Sequence, residues 1–403
     1  MCIRDRLGAV YFITIRDTIG RPKLQLKQTL IKAHTGFLPQ FLRSSTLEEG
    51  PTENSHSVVS LKAGPMMGKG ERLLYITTRC GDFQIWQLGV SSKCFRRINS
   101  NIFNKVLESL QDLYPFAYGS LKLIDSHPLF QDDMNVQLFL STITDNNDAY
   151  YIISTVIFDE QFNTFSIFST YKLNTIAMPV APGHVMPSLL VPTSLRSGIT
   201  PVSSVFVLFQ NCLVVTQISS TLDSNFTLRR KWEDIISFHQ SVKVIGFGYN
   251  HDCLYVMSNE VGNIIKVELK DVSTNTLADD LEETRFVKTH VEQAIYFANT
   301  SLNNPVQFNL PPGLSMDREV IEHDLLACCN DIFDSTSMFI PSTSTNLEQH
   351  LNSRINYFRT LLKYIQKNFN YSISPNVKLH LIEKFETMCC ALRMLQKMAK
   401  LEP

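Results

Sequence analysis

The chain has 403 residues, of which 44% are hydrophobic and 19% are charged, and its formal net charge is −1. This length allows two domains, and the composition is typical of a folded globular protein, which excludes an intrinsically disordered chain. The near-zero charge gives no electrostatic reason to expect nucleic acid as a direct ligand, and no apolar run reaches the length that spanning a bilayer requires.

A strand–turn–strand pattern recurs along the first two thirds of the chain. Residues 74–78 form an apolar run that leads through a short polar turn with a glycine into residues 81–88, and the same arrangement returns at 254–258 and 262–269. Residues 8–15 resemble the second half of another copy. Repeated hairpins of this kind are typical of the blades of a β-propeller.

Alternating apolar and polar residues predict further strands between these copies. The predicted strands are 58–61, 73–78, 83–88, 121–124, 136–144, 150–158, 165–173, 202–209 and 213–218. A helical insert is predicted over 101–113, where Ile102, Val106 and Leu110 share one face. The proline-rich residues 179–201 are predicted to be a loop between blades, because proline removes ladder donors.

The pattern changes to a helical period near Arg285. Helices are predicted over 286–297 and 346–369, and a further helix is predicted to begin at Asp317. Ser374 has the chemistry of an N-cap, and Pro375 suits the first position of the last helix.

These patterns divide the chain into four parts. Residues 1–6 are interpreted as a non-native translation artefact, since they look like a translated sequencing adapter. Residues 7–269 are predicted to be a partial, all-β N-terminal propeller, and the polar, acidic residues 270–284 a linker. Residues 285–403 are predicted to be an α-helical solenoid segment, the start of a helical stack.

No catalytic, cofactor-binding or metal-binding residue is assigned. The nine cysteines have no metal-ligand spacing, and the adjacent pairs Cys328-Cys329 and Cys389-Cys390 lie in helical segments, where neighbouring side chains diverge and make poor disulfides. We expect reduced cysteines, as in a cytosolic or nuclear protein. His239 and His251 lack cysteine partners at zinc spacing.

Four stretches of the chain share one resemblance. They read LESLQDLYPFA at 107–117, RRKWEDI at 229–235, NLPP at 309–312 with IEHDL at 321–325, and NFNYSISP at 368–375 leading to LIEKFE at 381–386. All four resemble the nucleoporin one-thirty-three family of budding yeasts. The resemblance extends over about residues 8–396. It implies a propeller followed by helices, with the first blades and most of the solenoid missing from this chain.

The resemblance also implies a function. It points to a non-enzymatic scaffold of the Y-shaped outer-ring complex, located at nuclear pores in the nuclear envelope and supporting pore assembly, nucleocytoplasmic transport and mRNA export. The implied partners are other nucleoporins of that complex. Two alternatives stay open: a propeller–solenoid component of another membrane coat or tether, and a propeller hydrolase, which would need carboxylates or histidines clustered at one mouth of the ring.

A membrane contact is predicted within residues 35–46. Phe37, Leu38, Phe41 and Leu42 fall at helical spacing on one side, opposite threonine, glutamine and serine side chains, and Arg43 is the only charge. An apolar face opposite a Ser/Thr face is typical of segments that insert into curved membrane, and the family resembled here carries such a segment at this point. The alternative is a loop that packs its aromatic residues on the propeller edge.

Overall fold

The computed structural model describes most of the predicted elements. The described residues are 2–4, 10–16, 25–31, 58–68, 71–89, 94–130, 135–145, 148–159, 161–162, 164–179, 186–192, 202–219, 230–239, 241–250, 253–259, 264–268, 286–297, 304–308, 317–340 and 346–401. They form two compact units. The first comprises Met1–Gln210, Thr216–Lys231 and Gly248–Leu254, and the second comprises Asn211–Val215, Trp232–Phe247 and Tyr255–Pro403.

Strands dominate the chain up to Glu268, and helices follow. The strands are β1 Cys2–Arg4, β2 Val10–Arg16, β3 Gln25–Ile31, β4 Val58–Gly68, β5 Glu71–Thr78, β6 Asp82–Leu88, β7 Cys94–Asn101, β8 Lys122–Pro128, β9 Val136–Asp145, β10 Asp148–Asp159, β11 Thr164–Pro179, β12 Ser188–Leu190, β13 Val202–Leu208, β14 Cys212–Ser219, β15 Arg230–Phe238, β16 Val244–Asn250, β17 Cys253–Ser258, β18 Ile264–Glu268 and β19 Val306–Gln307. The helices are α1 Phe103–Gln111, α2 Phe286–Phe297, α3 Arg318–Asp334, α4 Leu347–Asn368 and α5 Pro375–Ala399, with a 3₁₀ turn at Pro115–Ala117.

Consecutive strands of the first unit pair into antiparallel sheets with strand orders β1-β2-β3, β4-β5-β6-β7 and β11-β10-β9-β8. Each sheet is a meander of neighbouring strands, which is how a propeller blade is built. The predicted fold class, a β-propeller followed by helices, is confirmed. The structure also contains strands that the alternation did not predict, among them β3, β7, β15 and β16.

A glycine sets the turn between β5 and β6. Gly81 has φ +92°, a conformation that disfavours other residues, and its backbone lies against the first residue of α1. A Cβ built on Gly81 would stand 2.6 Å from Cβ of Phe103. Gly81 is therefore needed for two reasons: it permits the positive φ of the turn, and it leaves room for Phe103 at the start of α1.

Apolar side chains hold the sheets of the first unit face to face. Phe83 of β6 meets Phe139 of β9 and Phe165 of β11, each with ring centroids 5.8 Å apart in an edge-on geometry. The predicted helix α1 covers this core with Val106 and Leu110, which are fully buried. A second cluster joins β2 and β3 to β4, β5 and β6. Burial of continuous apolar area between sheets is the main stabilising term here.

A polar network lies between the same sheets. The Lys62 ammonium of β4 contacts the Asp125 carboxylate of β8 at 3.0 Å and donates to the carbonyl of Leu189 at 3.0 Å. The Leu189 amide donates back to Asp125 at 2.8 Å, and the Ser126 amide donates to its second oxygen. Thr77 of β5 bonds the Ser126 hydroxyl at 2.6 Å. The Asp125 carboxylate and the groups that bond it therefore connect β4, β8 and β12, which are edge strands of three different sheets.

His127 extends this network in the neutral form. Its Nδ1 donates to the carbonyl of Pro128 at 2.8 Å, so Nε2 is the acceptor for the Tyr249 hydroxyl at 3.3 Å. Burial, with the nearby Lys62 ammonium adding to it, lowers the pKa of His127 to about 3. The imidazole is therefore uncharged throughout the physiological range.

The helices of the second unit begin where the sequence predicts. Asp317 accepts from the Glu319 amide before α3, Asn346 from the Gln349 amide before α4, and Ser374 from the Val377 amide before α5. Their apolar stripes share a core in which Leu325, Phe358 and Leu361 are fully buried. Packing of amphipathic stripes, rather than helix propensity alone, stabilises this unit.

The first prediction concerns the buried pair. Asp125→Ala leaves the partly buried Lys62 ammonium without its counter-charge and should lower the free energy of unfolding by about 2 to 3 kcal/mol. Lys62→Met should cost less, because two backbone amides still donate to the carboxylate. Urea unfolding measures both. Lys105→Met, in the exposed pair with Glu108, is the control and should change little; equal effects from all three variants would contradict the account.

The second prediction concerns pH. The folded protein holds His127 with a lowered pKa, so its contribution to stability is present above the ordinary pKa of about 6.5 and is lost as pH falls towards 3. Between pH 7 and pH 5 we expect a loss of about 2 kcal/mol from this residue. Urea unfolding at the two pH values measures this. Between pH 7 and pH 5, the free energy of unfolding should fall by about 2 kcal/mol less in His127→Gln than in the unsubstituted protein. An identical pH dependence in both proteins would be the contrary result.

Candidate interaction surfaces

The predicted membrane-contact residues lie outside the described residues. Phe37, Leu38, Phe41 and Leu42 all fall in the range 32–57, so their role stays a prediction. Among the described residues, no helix is both long enough and apolar enough to cross a bilayer.

Groups with the chemistry of an active site are dispersed. Within the described part of the chain, no cluster of three or more His, Cys, Asp or Glu side chains could hold a metal ion. Cys212 and Cys328 are buried free thiols, and burial raises the pKa of each, to about 12 for Cys212. These thiols are packing groups with little thiolate character.

The first surface is an aromatic patch around Lys172, made of Tyr114, Phe116, Tyr150 and the exposed Tyr118. The Lys172 ammonium lies 4.9 Å from the centre of the Tyr150 ring and 5.8 Å from that of Tyr114. The ring of Phe116 stands 5.8 Å from Tyr114 and 6.3 Å from Tyr150. Tyr118 leaves 80% of its surface open beside it. Aromatic residues of this kind are common at protein interfaces.

Sequence reasoning missed this patch, although it had singled out part of it. Residues 107–117 were recognised as a family-like stretch, and they form the end of α1 and the 3₁₀ turn. Tyr150 and Lys172 come from β10 and β11, and β10 pairs with β11 so that Ile152 lies opposite Lys172. Only this strand pairing brings the Lys172 ammonium over the rings. The sequence shows that these aromatic residues are present, but their positions along the chain do not show that the fold groups them.

A second surface lies on the β16–β18 segment. In the second unit, Ile245, Phe247, Tyr255, Met257 and Ile264 are all exposed, the last with 61% of its surface open. Ile245 and Phe247 on β16, and Tyr255 and Met257 on β17, are spaced by two residues, which places the members of each pair on one side of the pleat. Single exposed apolar residues are ordinary, but five on neighbouring strands of one sheet form a candidate contact area.

Two of the family-like stretches hold α2 in the second unit. Asp234 of β15, in the stretch 229–235, accepts from Gln293 of α2 at 3.1 Å and lies 3.5 Å from His290. Burial raises the pKa of Asp234, and the nearby His290 opposes that shift. Asp324 of α3, in the stretch 321–325, accepts from the Lys288 amide at 3.1 Å.

The stretch 321–325 also meets the start of α5. Glu322 of α3 accepts from the Ser374 amide at 2.7 Å and from its hydroxyl at 3.2 Å, while Arg318 donates to the same carboxylate at 2.9 Å. The Arg318 guanidinium, with the Ser374 amide, lowers the pKa of Glu322. The resemblance stretches at 321–325 and 368–375 are thus two sides of one helix–helix contact.

Hairpin-built sheets that pack face to face, followed by helices that share one core, are the architecture of a β-propeller joined to stacked helices. Residues 6–265 match the family described as Nup133 N terminal like. That match covers more than half of the chain, and the chain belongs to this family of nucleoporins. The resemblance drawn from the four stretches is confirmed, and the family is one of nucleoporins and not of enzymes.

Individual relatives support the assignment. The chain is 44% identical to nucleoporin NUP133 of Saccharomyces cerevisiae over 396 residues, which are 97% of this chain and 33% of that protein. It is 21% identical to nucleoporin nup132 of Schizosaccharomyces pombe, over 98% of this chain and 32% of the relative. The chain spans about a third of the length of the curated relatives it matches.

A solved structure supports the propeller. The chain is similar to the β-propeller domain of Vanderwaltozyma polyspora Nup133, with a TM-score of 0.57 and 49% sequence identity. The likeness covers 66% of this chain and 68% of that domain.

The third prediction concerns the α3–α5 contact. Ser374→Ala removes the side-chain acceptor of the α5 N-cap and one donor to Glu322, and it should lower the free energy of unfolding of the helical unit by about 1 kcal/mol. Thermal unfolding followed by the helical circular dichroism signal measures it. The exposed Ser372 offers a matched control, and Ser372→Ala should change little. Equal shifts for the two alanine variants would argue against the cap.

Proposed function

We propose that this chain is part of a non-enzymatic scaffold nucleoporin of the outer ring of the nuclear pore, at the nuclear envelope. The observation that carries the proposal is the 44% identity to yeast NUP133 across 97% of the chain, together with membership of the Nup133 N-terminal family. The scaffold supports pore assembly, nucleocytoplasmic transport and mRNA export. Its partners are other nucleoporins of the Y complex.

The geometry supports a role in contacts rather than in catalysis. The aromatic patch around Lys172, which is partly exposed, and the exposed apolar side of the β16–β18 segment have a composition that is common at protein interfaces. The alternative, a component of another membrane coat or tether, shares the architecture but not the family.

The fourth prediction concerns location. The product of the full gene, tagged with a fluorescent protein and expressed from its own locus, should give a punctate signal at the nuclear rim. It should co-purify with other outer-ring nucleoporins, and Tyr118→Asp with Phe116→Asp should weaken that recovery while Phe162→Asp, an exposed aromatic elsewhere, should not. A signal on cytoplasmic vesicles would contradict the pore-scaffold proposal and favour the alternative, a component of a vesicle coat.

We further propose that residues 35–46 contact curved membrane. Burying Phe37, Leu38, Phe41 and Leu42 contributes about 1.5 to 3 kcal/mol each at full burial, while ordering about ten backbone residues costs about 1 kcal/mol or more apiece. The two terms nearly cancel, so binding requires packing defects that reduce the work of insertion. With one charge in the segment, salt and anionic lipid should matter little.

The fifth prediction tests this contact by flotation with neutral liposomes. The intact chain should float with small liposomes and much less with large ones. Phe37→Asp with Phe41→Asp should abolish flotation, and Phe162→Asp is the control that should retain it. Equal flotation with both liposome sizes, or flotation that survives the double substitution, would return the segment to an ordinary loop.

A further inference from the structure

The strand β11 lies at the edge of its sheet. The strand order is β11-β10-β9-β8, so among the described residues β11 pairs with β10 on one side only. The ladder also gives the direction of the backbone groups. The Phe158 amide of β10 donates to the carbonyl of Asn135, the residue before β9, at 2.8 Å. Backbone groups alternate in direction along an antiparallel strand, so those of Thr155, three residues earlier, point towards β11.

The same alternation shows which part of β11 faces outward. Thr155 lies opposite Ser169, so the amide and carbonyl of Ser169 face β10. The amides and carbonyls of Thr170 and Lys172 therefore face away from the sheet. An outward-facing row of backbone donors and acceptors is a template on which a further strand can pair.

A pocket lies on one face of this edge. Its volume is about 170 Å³, and it is lined by Ile153 and Thr155 of β10, residues 169–171 of β11, and Thr216 and Ile218 of β14. None of these described lining residues is charged, and those from β10 and β14 are buried. An apolar cavity of about 150 Å³ holds a benzene molecule, so the pocket has the volume for a branched aliphatic side chain.

The opposite face of the edge is cationic. Side chains alternate along β11, so Ser169 and Tyr171 lie on the pocket side and Lys172 lies on the other side. The Lys172 ammonium is held over the rings of Tyr150 and Tyr114, and among the described residues it has no carboxylate partner. A carboxylate on an added strand, directly opposite Lys172, would complete a cross-strand ion pair.

We propose that the β11 edge binds an extended peptide segment of a partner protein as an added strand, and that aliphatic and acidic residues alternate in this segment. Its aliphatic side chains enter the pocket, and its acidic side chains face Lys172. Backbone hydrogen bonds to Thr170 and Lys172 contribute affinity, and the two faces of the edge contribute specificity. This site goes beyond the proposed scaffold function, because it does not depend on which assembly the protein joins.

A second copy of this chain fits the edge less well. Residues 164–179, which form β11, contain no aspartate or glutamate. The β11 edge of another copy would therefore bring a second Lys172 and no carboxylate for the first. An anionic membrane would attract Lys172, but it has no row of backbone groups to pair with Thr170.

The experiment uses the purified product of the full gene and a fluorescein-labelled peptide of about nine residues in which valine and glutamate alternate. Fluorescence anisotropy should show saturable binding. A peptide of the same composition, with its valines and glutamates in separate blocks, should bind about tenfold more weakly, because it cannot present one residue type to each face.

Methylation of the peptide's amide nitrogens distinguishes strand addition from contact through side chains alone. Only every second amide of an added strand faces β11. Methylating one alternate set of amides should therefore abolish binding, whereas methylating the other set should preserve it. Equal effects of the two methylation patterns would overturn the proposal.

Substitutions in the protein test the backbone and the charge separately. Thr170→Pro removes an outward-facing donor without removing a bond to β10 and should weaken binding about tenfold. Lys172→Glu should weaken binding of the glutamate peptide to a similar degree and should bind a peptide with lysine in place of glutamate. This exchange of preference requires a folded edge, so it tests the proposal even if Thr170→Pro does not fold. Lys122→Glu, at an exposed position on β8 at the opposite edge of the same sheet, is the matched control and should change neither affinity.

Ser169→Phe tests the pocket, because a phenylalanine on the pocket side of the edge fills it. Unchanged affinity in this variant would overturn the aliphatic anchor, and equal binding of both peptides to Lys172→Glu would overturn the acidic one. Absence of binding to the unsubstituted protein would overturn the whole proposal, as would a protein dimer that Thr170→Pro dissociates, since the edge would then belong to a second copy. All of these measurements use purified protein, so their failure leaves the nuclear-rim test of the scaffold function unaffected.

Discussion

The buried pair of Lys62 and Asp125 is the contact on which the first unit depends. Taking two charges out of water is costly, and the cost is recovered only when every donor and acceptor has a partner in good geometry. Asp125 receives the Lys62 ammonium and the Leu189 and Ser126 amides. If the sheets moved apart or slipped by one residue, these groups would be buried without partners. Apolar packing makes the sheets adhere, and this network fixes their register.

Neutral His127 fits the same requirement. A charged imidazole beside the Lys62 ammonium would add a second buried positive charge with no further carboxylate, and the hydrogen bonds to Pro128 and Tyr249 suit the uncharged ring. Lys62, Asp125 and His127 therefore stabilise the packing of the sheets. The exposed features that a partner could contact are the aromatic patch around Lys172 and the apolar side of the β16–β18 segment.

The sequence predicted helices better than polar contacts, for a physical reason. Caps are local, so Asp317 and Ser374 marked the starts of α3 and α5 within one turn of chain. Lys62 and Asp125 stand 63 residues apart, and nothing in local spacing pairs them. The strand β15 does not show the alternation because it carries the buried Glu233 and the half-buried Asp234, and Asp234 accepts a hydrogen bond from Gln293 of α2, far along the chain. Tertiary partners make such residues tolerable in a strand.

The candidate sites also differ in whether they can be predicted from local sequence or only from the fold. The membrane segment was predicted from the spacing and composition of residues 35–46 and from the family resemblance, and it lies outside the described residues, so it stays a prediction. The aromatic patch around Lys172 and the apolar side of the β16–β18 segment could not be predicted, because they depend on which side chains the fold leaves exposed. The central claim, that this chain is built into the pore scaffold, is tested most directly by cross-linking mass spectrometry on isolated nuclear pores. The account predicts cross-links from exposed lysines of this chain to other outer-ring nucleoporins. Cross-links confined to vesicle-coat proteins, or none to the pore, would contradict it.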